Sequence, residues 1–277
     1  MQKILVTTDF SDNSRAGLLF AIQLASQTTC SLTFLNVHHI PTPSAWNIVR
    51  MEAYEQEQTV ATQDRLKNFV EKIYSDLHII PADIFYVVKI SILSEASISE
   101  YAEAHQFDYI CISTRGAGQL QRILGTHTGN LINHSAVPVI AVPHEYKPVA
   151  ITNILYASDL AHFEKEIIKV VEFAKPLKAG IELIHLTYNA KDSDSLRAVE
   201  AAVKKIASYH ITFNITQRNP NESLVTDVET AIENRKPSML VMFTEQNRNW
   251  FQKVFLSSKS TEYSFNPKVP LLVFNKS

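Results

Sequence analysis

One pattern is written twice in this chain, about 150 residues apart, and that repetition limits the fold more than any other feature. Ile154-Leu155-Tyr156-Ala157-Ser158-Asp159-Leu160 follows Ile4-Leu5-Val6-Thr7-Thr8-Asp9-Phe10 at an offset of 150. Ile181 to Leu186 follows Leu32 to Val37 at 149, Met239 to Thr244 follows Tyr109 to Thr114 at 130, and Val269 to Val273 follows Val137 to Ala141 at 132. Each repeated piece is a short apolar run, the pattern of a strand buried on both faces. Between the runs lie segments with helical spacing, such as Ala16, Leu19, Phe20, Ile22, Leu24 and Ala25. Strands that alternate with helices imply a parallel sheet covered on both faces. The chain therefore predicts two tandem five-stranded α/β domains, 1–146 and 147–277. The drop of about 20 in the offset means that the second domain lacks much of the insertion at 41–77.

A length of 277 residues suits two domains of ordinary size, and 45% hydrophobic residues let each bury a core. Net charge is −2 with no block of Lys or Arg, which does not support a nucleic-acid surface. Cys30 and Cys111 stand alone, outside any CxxC pair, and are expected as reduced core thiols. Met1-Gln2-Lys3 runs straight into a strand without a signal-peptide apolar region, and no apolar run approaches 18 residues. The expected location is the cytoplasm.

Chemistry concentrates in residues 108–143. A buried strand, Tyr109 to Ile112, leads into Ser113-Thr114-Arg115-Gly116-Ala117-Gly118, a loop of mostly small residues. Gly125-Thr126-His127-Thr128 then opens a helix-like run from Gly129 to Asn133, and Val137-Pro138 starts the last strand, Val139 to Val142. Small residues after a strand let a ligand approach the backbone, and a helix N-terminus offers free N–H groups and a favourable dipole to an anion. Neither GxxxxGK[ST] nor GxGxxG occurs, so the pattern suggests phosphate binding without a P-loop. Tight turns in an ordinary βαβ unit explain the same glycines. In open parallel sheets ligands sit beyond the carboxyl ends of the strands where strand order reverses. Asp9, Val37 and Ser113 each lie at such an end and are expected to converge.

These residues resemble the universal stress protein family, and specifically a tandem member with two such domains in one chain. The resemblance covers almost the whole chain and is carried by ILVTTDFS near the start and by STRG…LGTHT…VPVIAVP. It implies a Rossmann-like, adenine nucleotide alpha hydrolase-like fold and dimerisation through the last strand. For this chain that means an intramolecular pseudo-dimer through 139–142 and 271–274, with a further dimer open to it. It also implies ATP, with Mg²⁺, as a ligand of some members through a Gly-x2-Gly-x9-Gly-Ser/Thr pattern. Carried over, Asp9 and Val37 would meet the adenine and ribose, while Gly116, Gly125, Thr126 and Thr128 would surround the phosphates; Ser113, Arg115 and Gly118 of the same loop complete the candidate nucleotide-binding set. The expected role is a stress-response binding or signalling module, with a protein-contact scaffold and a weak ATPase using Asp9 as the alternatives.

The pattern is altered here. Its first glycine is Ser113, and eight residues, not nine, separate Gly116 from Gly125. The second half departs further: Gln246 falls opposite Gly116, and Ser257, Ser258 and Ser260 fall opposite Gly125, Thr126 and Thr128. Its loop, Thr244 to Phe251, is bulky and acidic, so it is expected to be a structural partner without a phosphate site. His38 and His39 are neighbours on a strand and point to opposite faces, which argues against one shared metal ion. Arg115 and Arg122 are candidates to pair with phosphates, with surface ion pairs as the expected role otherwise, and Trp250, Phe251, Val254 and Phe255 are expected on a core-facing helix.

Overall fold

The computed structural model describes residues 1–41, 43, 45–114, 125–188, 197, 199, 201, 209–244 and 268–275. They form two compact units, the first closing at Pro148 and the second opening at Val149. The first unit runs β1 (Gln2–Thr7), α1 (Arg15–Gln27), β2 (Cys30–His38), α2 (Ile48–Leu77), β3 (Ile84–Ile90), α3 (Ser94–Ala104), β4 (Tyr109–Ser113), α4 (Gly125–His134) and β5 (Val139–Val142). Its strands lie side by side in the order β3-β2-β1-β4-β5, all parallel. Ile4, Leu5, Val6, Leu32, Phe34, Leu35, Ile110, Cys111, Ile140, Ala141 and Val142 are shut off from solvent. Burial of each such aliphatic side chain contributes roughly 1.5–3 kcal/mol, which is why these runs hold the centre of the sheet.

The second unit repeats that order with β6 (Asn153–Ser158), α5 (Phe163–Leu177), β7 (Gly180–Thr187), β8 (Ile211–Gln217), α6 (Leu224–Arg235), β9 (Met239–Thr244) and β10 (Leu271–Asn275). Its strands run parallel as β10-β9-β6-β7-β8. The α/β class with parallel sheets is as the repeat predicts. Residues 188–210 join β7 to β8 where residues 39–83 join β2 to β3, so the insertion of the first unit is confined to the segment that carries α2.

Helix α2 departs from its apolar periodicity. Its 30 residues span roughly 45 Å, whereas the seven-residue strand after it spans roughly 23 Å. Only Leu66, Val70, Ile73 and Tyr74, in its second half, are buried. Spacing with Tyr54, Leu66, Phe69, Val70 and Ile73 sets Val60 on an apolar stripe, yet it is 55% exposed because that part of the helix outruns the sheet. A second difference concerns α4, which starts at Gly125 and not at Gly129, so Gly125 to Thr128 form its first turn.

Candidate functional site

In the first unit the chain steps outward from β1 to β2 and β3, then returns to lay β4 on the other side of β1. Strand order reverses between β1 and β4, and the crevice beyond their carboxyl ends is the candidate site. Asp9 follows β1, Val37 is the penultimate residue of β2, Ser113 ends β4, and α4 opens after the β4 loop. Thr128 in its first turn is 3% exposed. The first-turn N–H groups of a helix have no intrahelical acceptor, so that end is chemically suited to an anion. Arg115, Gly116, Gly118, Arg122 and residues 245–255 lie outside the described residues, as do Ser257, Ser258 and Ser260.

The turn after β1 is held by its own side chains. Thr8 Oγ1 accepts the Phe10 N–H at 3.0 Å and shares a 2.7 Å hydrogen bond with Ser14 Oγ. Asp9 Oδ1 accepts the Ser11 N–H at 3.0 Å and its hydroxyl at 2.5 Å. Phe10 is forced to φ 64°, a left-handed conformation that costs a non-glycine residue about 1 kcal/mol or more. Its ring stacks edge-on to Phe69 of α2 at 5.8 Å, and the Arg65 guanidinium lies 4.3 Å over it. The strain thus sets the turn, and packing on α2 retains it. Asp9 itself remains exposed beside β1.

Next to this turn, Asn36 of β2 donates to the Thr8 carbonyl at 2.8 Å, and its Oδ1 meets His38 Nδ1 at 3.1 Å. Partial burial lowers the His38 pKa, favouring the neutral ring. The second unit builds the same turn from other side chains. Leu160 sits at φ 65°, Ser158 Oγ accepts its N–H at 3.0 Å, and Asp159 Oδ1 accepts the Ala161 N–H at 3.0 Å. His185, which stands where the first unit has Asn36, reaches the Ser158 carbonyl through Nδ1 at 2.9 Å. An imidazole N–H replaces an amide N–H on the equivalent carbonyl, a substitution that strand pattern alone does not reveal.

Ser113 is committed elsewhere. Its Oγ accepts the Gly17 N–H at 2.6 Å and donates to the Ser14 carbonyl at 3.0 Å, so it ties the first turn of α1 to the end of β4. A Cβ on Gly17 would lie 3.0 Å from Ser113 Oγ and 3.2 Å from its backbone nitrogen, so any larger residue would require Ser113 to shift by a few tenths of an ångström. In the second unit Ile167 and Phe243 take these places. Phe243 stacks on Phe274 at 5.0 Å and meets Tyr156 edge-on at 5.7 Å. The Tyr156 hydroxyl donates to the buried Glu166 carboxylate. Burial first, and Glu166 second, push the Tyr156 pKa well up. The polar latch of one unit is an aromatic cluster in the other. A cavity of about 440 Å³ lies at the opposite end of the first sheet, lined by Ile22, Cys30, Tyr74, Ile80 and Asp83 among others, and belongs to neither crevice.

The fold and the crevice at the strand-order reversal accord with a match of the universal stress protein family over residues 1–143. The chain belongs to the universal stress protein family. Among solved structures, a universal stress protein from Archaeoglobus fulgidus DSM 4304 is 17% identical, with a TM-score of 0.72 over 99% of this chain and 98% of that one. A putative universal stress protein from Pseudomonas aeruginosa UCBPP-PA14 is 14% identical, with a TM-score of 0.58 over 99% and 93%. A universal stress protein in complex with cAMP is 18% identical, with a TM-score of 0.37 over 51% of this chain and 96% of that one. No curated protein sequence matches the chain. As a universal stress protein it contains, among the described residues, no helix long and apolar enough to cross a membrane.

Proposed function

We propose that the N-terminal unit is a nucleotide-binding module that takes ATP with Mg²⁺, and that the C-terminal unit is its structural partner. What supports this reading is the strand-order reversal between β1 and β4, beyond whose carboxyl ends come the Asp9 turn and the segment that leads to α4. In it Asp9 and Val37 take the base and ribose side. The first turn of α4, with Gly125, Thr126 and Thr128, takes the phosphates, together with Arg115, Gly116 and Gly118. Ser113 acts one step back, by fixing α1 against β4 at the mouth of the loop. The family supports a stress-response role in general terms, and the module works by binding and signalling rather than by turnover.

The two units pair through 139–142 and 271–274 as an intramolecular pseudo-dimer, which satisfies two sheet edges that would otherwise invite aggregation. Calorimetry with ATP and Mg²⁺ on the wild-type chain and on Gly125→Trp tests the crevice. The wild type is expected to bind, and the indole in the first turn of α4 to weaken binding at least about tenfold. Equal heats for both proteins would remove the crevice from consideration. The commitment of Ser113 to α1, where the family pattern has glycine, favours a second reading, a scaffold acting through protein contacts in the cytoplasm. No heat at millimolar ATP would select it.

A further inference from the structure

The edge strand β3 differs from its counterpart β8 along one face. Register on β2 and β7 matches Ile84 with Ile211, and so on to Ile90 with Gln217. Tyr86 stacks with Phe34 at 6.2 Å, and Phe34 meets Tyr74 of α2, so the even-numbered residues of β3 face α2. Phe85, Val87 and Lys89 therefore face the other side. At the matching places β8 carries Thr212, Asn214 and Thr216. Phe85 is 58% exposed, Ile90 37%, Ile92 77% and Leu93 67%. The first unit has the apolar Phe85 and Val87 in place of Thr212 and Asn214, and the charged Lys89 in place of Thr216.

The backbone of β3 is open as well. Among the described residues β3 pairs only with β2. The Asp83 carbonyl accepts the Leu32 N–H, and the Ser91 N–H donates to the His38 carbonyl, so odd-numbered residues turn their N–H and C=O groups to β2. Ile84, Tyr86, Val88 and Ile90 turn theirs outward. The strand contains no proline, and edges of this kind add another strand.

We propose that β3 is the docking edge for a second copy of this chain, joined antiparallel about a twofold axis at Tyr86. Charge selects both the partner and the register. Asp83 and Lys89 are both exposed, and neither has an ion-pair partner among the described residues. With Tyr86 opposite its own symmetry mate, Asp83 stands opposite Lys89 of the other copy, and the pair occurs twice. The same register sets Phe85 against Val87 on the α3 side and Ile84 against Val88 on the α2 side. A shift of the axis by one residue sets Asp83 against Val87 or against Ser91 and loses both ion pairs. Lys89 now lies 5.2 Å over the Tyr101 ring of α3, an exposed contact that its flexible stem can exchange for Asp83 of the copy.

Sedimentation velocity on the full-length chain tests the proposal. A short strand pair predicts a wild-type dimer with a dissociation constant on the order of 10 µM. Phe85→Thr, which installs the residue of β8, is expected to weaken it about tenfold or more. Lys89→Glu is expected to do the same, and Lys89→Glu combined with Asp83→Lys to restore the dimer. Circular dichroism that matches wild type shows that each variant is folded. A wild type that stays monomeric at 200 µM, or a dimer indifferent to both Phe85→Thr and Lys89→Glu, would overturn the proposal.

Discussion

Gly17 and Ser113 form one unit of structure although 96 residues separate them. Ser113→Ala removes an acceptor from the helix N–H and a donor from the Ser14 carbonyl, at an expected cost of about 1–3 kcal/mol in urea unfolding. Gly17→Ala forces a Cβ against both Ser113 Oγ and its backbone nitrogen. In Ser113→Gly the hydroxyl is gone and half of that clash with it. The double variant Gly17→Ala/Ser113→Gly is therefore expected to cost less than the sum of the two single changes. Additive costs would mean that the two residues do not act on each other. The sequence marks Ser113 as a departure from a glycine pattern, but it cannot reveal the partner, because nothing local links position 113 to position 17. The Thr8-Asp9-Phe10 turn is different. Its hydroxyl, carboxylate and left-handed residue are consecutive, and Ser158-Asp159-Leu160 copies them, so both turns are legible from residue order. The Asn36 and His185 pair is not, since unlike side chains serve one carbonyl.

At the scale of elements, apolar runs give the strands reliably because parallel strands bury both faces and leave little room for polar residues. Helix ends are less legible. Helices α2, α5 and α6 all close on a non-glycine residue in the left-handed region: His78 at φ 57°, Lys178 at 55° and Lys236 at 48°. A sequence rule that waits for glycine misses all three. Each of these residues is exposed, so glycine there relieves the backbone without opening a cavity. Lys178→Gly and Lys236→Gly are each expected to stabilise the second unit by about 0.5–1 kcal/mol, read as a raised urea midpoint at unchanged slope. A loss of stability in both would show that these lysines make contacts worth more than the strain. The exposed first half of α2 teaches the complementary lesson. Apolar spacing identifies a helix, but it does not say whether a sheet extends far enough to cover it, and Val60 is the residue that pays for the difference.

For the whole molecule the question is which sheet edges are closed, and by what. The Ile110 and Thr114 N–H groups donate to the Pro138 and Val142 carbonyls, so alternate residues of β5 serve β4 while Val139 and Ala141 turn outward. The Leu240 N–H donates to the Pro270 carbonyl, which turns Leu271 and Val273 of β10 outward in the same way. The proposed pseudo-dimer joins those two outward rows within one chain. The proposed β3 contact joins Ile84, Tyr86 and Val88 to another chain. Hydrogen exchange followed by NMR separates the two, because an intramolecular pair does not depend on concentration and an intermolecular pair does. The amides of Val139, Ala141, Leu271 and Val273 are expected to be protected by about 10³-fold or more at every concentration. Those of Tyr86 and Val88 are expected to be protected only above the dimer dissociation constant, and to lose that protection in Lys89→Glu. Protection of the β5 amides that fades on dilution would replace the intramolecular pair with pairing between chains. Rapid exchange at all four would leave both edges open, and the duplicated unit would then need another reason to be carried in one chain.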